Sequence, residues 1–124
     1  MKTFTSAENR FNNDFQPVVK LLHRLKKFST KRFIGSSGTQ SLSESLKFNS
    51  TLTTLYLSGN NFGDEGTQSI SESLKFNSTL TTLNLYGNYI GSSGTQSISE
   101  SLKFNSNLTT LHLWGNNIGS MYVG

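Results

Sequence analysis

The feature that most constrains this chain is a short leucine-rich stretch that occurs three times at a constant interval. The copies begin at Leu52, Leu80 and Leu108, so each starts 28 residues after the one before it. The middle copy, residues 80–90, reads LTTLNLYGNYI. A fixed interval of this size indicates a stacked array of similar units, in which each unit contacts its neighbours, rather than a single globule.

Each unit contains the pattern of a strand followed by the pattern of a helix. Around Leu83 and Leu85, leucine alternates with polar or aromatic residues, which predicts a strand with one buried face. In the preceding unit, Ile70 and Leu74 stand four residues apart, which predicts a buried helix face over about 67–76. The unit is therefore a strand, a turn, a helix and a second turn.

The turns carry sequence signals for both ends of the helices. Asp64 is a competent N-terminal cap, and the Ser-x-x-Gln sequence at 93–96 is able to form a capping box. Asn77 follows the helix pattern and is suited to the left-handed residue that closes a helix. We therefore expect each helix to be capped within its own unit.

The repeat also sets the boundaries of the array. Residues 33–40 closely match residues 89–96, so we interpret them as a partial first unit whose degenerate strand lies within 25–32. The array, residues 33–124, then continues with complete units at 41–68 and 69–96 and a truncated unit at 97–124.

The framework residues of one unit match a known repeat. From Leu52 to Leu80 they read L-x-x-L-x-L-x-x-N-x-F-x-x-x-G-x-x-x-I-x-x-x-L-x-x-N-x-x-L. This pattern resembles the 28-residue leucine-rich repeat of the ribonuclease-inhibitor type, which is also found in NOD-like receptors, and it extends over about 33–118. The resemblance implies an α/β fold, a short right-handed solenoid with parallel strands on its concave face and helices on its convex face. It also implies protein recognition rather than catalysis, and a stacked asparagine ladder formed by Asn60, Asn88 and Asn116.

A helix pattern precedes the array. Apolar residues from Phe15 to Leu25 fall at helical spacing within the segment 13–32, which predicts a basic amphipathic helix over about 15–27. Such a helix would cover the apolar side of the first unit as a cap. Residues 1–12 show no clear period, and we expect them to be poorly ordered.

The same segment is basic. Residues 1–33 contain eight Lys and Arg against Glu8 and Asp14, which gives a net charge of +6, whereas the rest of the chain has −2. A basic arm that tethers the chain to nucleic acid or to an anionic membrane surface is therefore the alternative to a cap. We disfavour both partners, because no recognised basic motif with interleaved aromatic residues accompanies the charge and a capping helix is expected to be charged on its outer face. The arm would comprise Lys20, Arg24, Lys26, Lys27, Lys31 and Arg32.

Composition argues against several classes of protein. The chain has no cysteine, which excludes disulfides and thiolate metal sites. No apolar run reaches the roughly 18 residues of a membrane span, and we find no secretory signal. The glycosylation sequons at Asn49, Asn77 and Asn107 are then by-products of a repeat rich in Asn, Ser and Thr. The predicted location is the cytoplasm.

Enzyme signatures are also missing from the sequence. His23 and His112 are the only histidines, and no carboxylate is spaced to orient either of them. The Gly-Ser-Ser-Gly-Thr turns resemble phosphate-binding turns at a helix start, but they lack the following lysine and recur along the chain. We therefore expect no catalytic residues, no cofactor and no bound metal.

Two positions in each unit vary while the framework repeats. By strand alternation both face away from the core, on the concave sheet. Exposed positions can drift freely, and aromatic residues favour strands. However, outer helix positions such as Glu72 and Lys75 repeat unchanged, and Tyr and Trp are enriched at binding hot spots, so we predict a protein-binding surface. Its residues are Tyr56, Asn84 and His112 in one column and Ser58, Tyr86 and Trp114 in the next.

The last unit departs from the repeat at Ser120. Where a serine-glycine turn is expected after Gly119, residues 120–124 read SMYVG. These residues either fold over the open end of the array or leave its edge accessible for self-association with another chain. A truncated reading frame from a longer array is a further interpretation.

Overall fold

Strands and helices alternate along the chain and build a single parallel sheet. The computed structural model describes residues 2–6, 22–30 and 35–117. The strands lie in the sheet in chain order and are β1 (Lys2–Ser6), β2 (Leu25–Thr30), β3 (Thr54–Tyr56), β4 (Thr82–Asn84) and β5 (Thr110–His112). The helices that connect successive strands from β2 onward are α1 (Gly35–Phe48), α2 (Gly63–Leu74) and α3 (Ser92–Leu102). The α/β solenoid predicted from the repeat is confirmed.

The strand register follows the repeat interval. Leu55 lies opposite Leu83, and Leu83 lies opposite Leu111, each 28 residues further along the chain. Strand β2 differs, because its Phe28 lies opposite Leu55 at an interval of 27. Helix α1 nevertheless begins 28 residues before α2. The first unit is therefore one residue shorter between strand and helix, which makes its strand difficult to recognise from the repeat.

The core is a column of leucines between the sheet and the helices. Leu55 and Leu83 from the strands and Ile70 and Leu74 from α2 are all fully buried. Leu111 packs against this core but is only partly buried, because β5 is an edge strand of the described sheet. Burial of these residues supplies the main stabilisation of each unit, as in other stacked repeats.

The N-terminal segment differs from the prediction. Residues 2–6, expected to be poorly ordered, form β1, which pairs in parallel with β2. The C-terminal part of the predicted helix 15–27 is wrong: Leu22–Arg24 is a 3₁₀ turn, and β2 starts at Leu25. Residues 13–21 and 31–32 of the predicted cap lie outside the described part of the chain.

The wrong helix prediction has a physical cause. The β1–β2 register shifts at Lys26, because Lys2 pairs with Leu25 whereas Thr3 pairs with Lys27. This extra residue places Leu25 and Phe28, three positions apart, on the same buried side of the strand. A spacing of three between apolar residues also occurs on one face of a helix, so the sequence pattern does not separate the two structures.

The start of α3 uses a cap from the neighbouring unit. Asp64 Oδ1 accepts hydrogen bonds from the backbone N–H groups of Gly91 (2.7 Å) and Gly94 (2.9 Å) at the start of α3. A Cβ atom on Gly94 would lie only 2.7 Å from the same oxygen, which explains glycine there. Neither α2 nor α3 has a side-chain cap of its own, so the predicted capping box at 93–96 is wrong.

The helix ends are closed by a second asparagine ladder that the sequence interpretation missed. Asn77 Nδ2 donates to the backbone oxygens of Leu46 (2.9 Å) and Asn49 (3.1 Å), and its Oδ1 accepts from the backbone N–H of Thr79 and Leu80. Asn105 makes the equivalent bonds one unit later. The ladder consists of Asn49, Asn77 and Asn105, all buried.

This ladder corrects the role predicted for Asn77. Among the described residues, the positive φ angles outside glycine belong to Asn61 and Tyr89, so Asn77 is not a left-handed closing residue. Its amide is 3% exposed and hydrogen-bonded, which makes the sequon unavailable for glycosylation in the folded chain.

The outer ends of the helices carry a repeated aromatic side chain. Phe76 and Phe104 are 63% and 68% exposed, and each lies under the lysine of the preceding unit. The Nζ of Lys47 is 5.6 Å from the Phe76 ring centroid, and that of Lys75 is 5.8 Å from the Phe104 ring centroid. These contacts join neighbouring units on the helix side. No helix in the described ranges has the length and apolarity needed to cross a membrane.

Truncation of a core leucine tests the packing. Leu83→Ala is expected to lower the free energy of unfolding by about 2–5 kcal/mol, because the removed atoms leave a cavity in a fully buried site. Urea denaturation followed by circular dichroism measures the loss. The control is Leu102→Ala, at a leucine that is 40% exposed, and it should cost less than half as much. Equal losses at both positions would contradict the assignment of Leu83 to the core.

Removal of a ladder amide tests the second ladder. Asn77→Ala should cost about 2–3 kcal/mol of unfolding free energy, because buried backbone groups of two units lose their partners. The control is Ser78→Ala, at the exposed residue that follows Asn77, and it should change stability by less than about 0.5 kcal/mol. Denaturation midpoints compare the two variants, and an unchanged midpoint for Asn77→Ala would disprove the stabilising role.

Candidate partner-binding surface

The side of the sheet opposite the leucine core forms a surface that we call the strand face. Side chains at alternate strand positions point to it, so each unit contributes three residues. Paired positions in neighbouring parallel strands lie about 4.8 Å apart, which arranges the residues in columns across the sheet. The columns are Thr54, Thr82 and Thr110; Tyr56, Asn84 and His112; and Ser58, Tyr86 and Trp114.

The structure brings together the six residues predicted to contact a partner. Tyr56 lies opposite Asn84, and Asn84 lies opposite His112, in the strand register. Tyr56 and His112 are exposed, whereas Asn84 is half-buried. The Asn84 Oδ1 accepts a hydrogen bond of 2.9 Å from the backbone N–H of Tyr86, which orients the start of the turn. Asn84 therefore also positions Tyr86 in the next column.

Tyr86 and Trp114 form an aromatic ring contact on the strand face. Their ring centroids are 4.8 Å apart, and the ring planes meet at 60° in an edge-to-face arrangement. Tyr86 is 42% exposed and Trp114 is 72% exposed, so both rings remain accessible. Such a pair contributes about 0.5–1.5 kcal/mol beyond area burial, which fixes two aromatic rings on the surface without covering them.

Gly115 allows this ring pair to form. Its φ of +82° lies in the left-handed region, where glycine is favoured. A Cβ atom at this position would come within 2.5 Å of Tyr86 Cε1, so the ring of Tyr86 lies against the glycine backbone. The equivalent Gly59 has a φ of +70° and nothing within 4 Å of its Cβ position. Gly115 is therefore needed for ring packing as well as for backbone conformation, whereas Gly59 is needed for backbone conformation alone.

The first asparagine ladder holds the turns that carry the outer column. Asn88 Nδ2 donates to the backbone oxygens of Leu57 (2.9 Å) and Leu85 (3.1 Å), and so links two units. Asn116 Oδ1 accepts from the backbone N–H of Asn88 (2.8 Å) and Ile90 (2.9 Å). Buried backbone groups at the end of each strand are thereby paired across the unit boundary.

Asn60 continues the ladder toward the first unit. Its Nδ2 donates to the backbone oxygens of Thr30 and Leu57, both at 2.8 Å, and its backbone N–H donates to Asn88 Oδ1 at 2.7 Å. The three ladder residues named from the sequence are Asn60, Asn88 and Asn116. They lie behind the turns and do not form part of the exposed surface, since Asn60 and Asn88 are fully buried and Asn116 is half-buried.

The basic residues predicted to form one arm are separated by the structure. Lys27 is exposed and lies opposite Thr54, so it belongs to the strand face. Lys26 is half-buried at the register shift, and Arg24 is exposed in the 3₁₀ turn. Lys20, Lys31 and Arg32 lie outside the described ranges. The sequence interpretation missed Lys27 as a surface residue of the sheet because it placed this lysine on a helix.

The strand face contains no group arranged for catalysis within the ranges that the structure describes. His112 is exposed on β5, and His23 is exposed in the 3₁₀ turn. No cluster of three or more His, Asp or Glu residues in these ranges is placed to hold a metal ion. The strand face presents aromatic rings, hydroxyls and amides.

Comparisons with known proteins agree with the repeat architecture. The sequence model of the leucine-rich repeat family matches residues 48–71, 76–99 and 104–120. Among solved structures, actin-binding site 2 of leiomodin-1 superposes with a TM-score of 0.71 at 23% sequence identity. The match covers 89% of this chain and 66% of the leiomodin chain. A search of curated proteins gives no significant match.

Substitution of Gly115 tests the ring pair. Gly115→Ala should displace the Tyr86 ring from Trp114 and alter the near-ultraviolet circular dichroism, because the new methyl group occupies the ring's position. Gly59→Ala is the matched control, since it carries the same left-handed strain of about 1–2 kcal/mol but contacts no ring. The same spectral change in both variants would show that backbone strain, rather than ring contact, is responsible.

Proposed function

This chain belongs to the leucine-rich repeat family, and we propose that it is a non-catalytic protein-interaction module that binds a partner on its strand face. The observation that carries the proposal is the Tyr86–Trp114 ring pair, two accessible aromatic rings held in contact on an otherwise regular sheet. Accessible Tyr and Trp side chains are the residue types most enriched among binding hot spots.

The remaining strand-face residues support this role. Tyr56 and His112 present further exposed rings beside the pair, and Ser58 and Asn84 present a hydroxyl and an amide at its edge. These groups can donate and accept hydrogen bonds around an apolar centre, which is the usual anatomy of a protein interface. Framework residues such as Leu83 and Asn88 point elsewhere, so the surface residues can differ between units without a loss of folding.

Two finer assignments accompany the proposal. We infer the ribonuclease-inhibitor type of repeat from the 28-residue interval and from the alternation of strands with full helices. We also infer a cytoplasmic location from the absence of cysteine and from the burial of the sequon at Asn77. The leiomodin neighbour is named as an actin-binding site, which supports a protein as the class of partner.

The size of the surface sets a further expectation. A stable specific interface needs about 800 Å² from each partner, more than one pair of aromatic rings provides. We therefore expect the partner to extend across the sheet from Trp114 toward β2, covering several strands. Self-association through the edge beyond β5 would involve residues 118–124, which lie outside the described part of the chain.

A paired substitution tests the proposal. The double variant Tyr86→Ala with Trp114→Ala should lose most of the partner captured from a native extract, measured by quantitative mass spectrometry. The control is Phe76→Ala with Phe104→Ala, which removes two exposed aromatic rings from the helix side. Capture that is unchanged by the first pair, or reduced equally by both pairs, would contradict a binding site on the strand face.

A salt titration separates this function from the electrostatic alternative. A tether of basic residues to nucleic acid or to an anionic membrane weakens steeply as ionic strength rises, because each phosphate contact releases counterions. Contacts made by aromatic rings depend much less on salt. Capture that is lost by moderate salt but kept by the Tyr86 and Trp114 double variant would favour the basic segment instead.

A further inference from the structure

We infer that the strand face binds an extended acidic segment of its protein partner, with an apolar side chain against Tyr86 and Trp114 and carboxylates near Lys27. This inference rests on the proposed function of the strand face and adds the chemistry of the partner. It follows from the distribution of charge between the two sides of the sheet.

The acidic residues of the described ranges all lie on the helix side. The five strands contain no Asp or Glu, and neither do the turns that follow β3, β4 and β5. The helices contain all five acidic residues of these ranges: Glu44 in α1, Asp64, Glu65 and Glu72 in α2, and Glu100 in α3. Among the described residues, a partner on the strand face therefore meets no negative side chain.

The strand face has a positive end and an aromatic end. Lys27 on β2 is exposed and shares a row with Thr54, Thr82 and Thr110. Trp114 follows β5 at the opposite corner. Lys27 and the described acids lie on opposite sides of the leucine core, so none of these acids shares a face with it. Among the described side chains, the positive charge of this face accordingly lies on β2.

The separation of the two ends defines the length of the partner segment. Lys27 and Trp114 are three strand spacings apart, about 14 Å, and four residues apart along the strand direction, about 13 Å. The diagonal is therefore roughly 20 Å, which an extended peptide covers with about six residues at about 3.3 Å each. The expected segment has one large apolar side chain and, about six residues away, one or two carboxylates.

The middle of the face suits a peptide better than a nucleic acid. Between the two ends lie the hydroxyls of Thr82 and Thr110 and the amide of Asn84, which are half-buried and uncharged. Peptide backbone groups can bond to such hydroxyls and amides, whereas nucleic-acid binding depends on several phosphate contacts from Lys or Arg. Among the strand residues with described side chains, the face supplies one exposed lysine, Lys27.

Synthetic peptides test the inference with the complete chain. The acidic probe has Phe at one end, two Glu at the other and about five Ser or Gly between them, and it is made in both chain directions. The basic probe replaces both Glu by Lys. Fluorescence anisotropy at low salt should give about three- to tenfold tighter binding of the acidic probe, and the difference should shrink at high salt.

Two charge reversals locate the positive site. Lys27→Glu should reduce the preference for the acidic probe by about threefold or more, because it replaces attraction by repulsion. Lys103→Glu makes the same change of charge at the end of α3, on the helix side, and should leave the preference unchanged. An acidic probe in which Phe is replaced by Ala should bind weakly to every variant.

The outcomes separate this inference from the proposed function. Equal binding of acidic and basic probes, both lost in the Tyr86→Ala and Trp114→Ala double variant, would overturn the acidic chemistry and leave the binding face intact. Tighter binding of an oligothymidylate than of the acidic probe would identify the partner as nucleic acid and would overturn the inferred acidic peptide. Failure of both probes to bind would also overturn the inferred acidic segment. The capture experiment decides the proposed function independently.

Discussion

The array depends on side-chain amides that pair with backbone groups of the neighbouring unit. Strands of three residues make few ladder bonds, and the turns at both ends would leave buried polar groups unpaired. Asn88 closes the strand ends by bonding to Leu57, and Asn77 closes the helix ends by bonding to Leu46, in each case 31 residues away. An unpaired buried amide or carbonyl costs about 1–3 kcal/mol, so these bonds hold the units in one register.

That register separates the residues that stabilise the fold from those that meet a partner. Leu83 and Asn88 point into the unit and have the same neighbours in each repeat, so they tolerate little change. Tyr86 and Trp114 point outward, where a substitution affects mainly the ring that lies beside it. The helix side shows a comparable arrangement, in which Lys75 lies over Phe104 of the next unit.

The sequence predicted the conformation within a unit well and the contacts between units poorly. The strand around Leu83 and the helix face of Ile70 were predictable, because periods of two and of about four residues report local conformation. The cap formed by Asp64 was not, since its partner Gly94 lies 30 residues away. The strand within 25–32 was predicted, but its start at Leu25 was also assigned to the helix 15–27, because the register shift at Lys26 imitates helical spacing.

The sequence by itself determined the 28-residue unit, its buried leucines and the columns that face outward, because these follow from intervals along one chain. The tertiary structure decided which residues of different units meet. Strand register brings the Tyr86 ring onto Gly115 and against Trp114, and it places Lys27 in the row of Thr54. These contacts depend on the alignment of neighbouring strands, where a shift of one residue would turn each side chain to the other face.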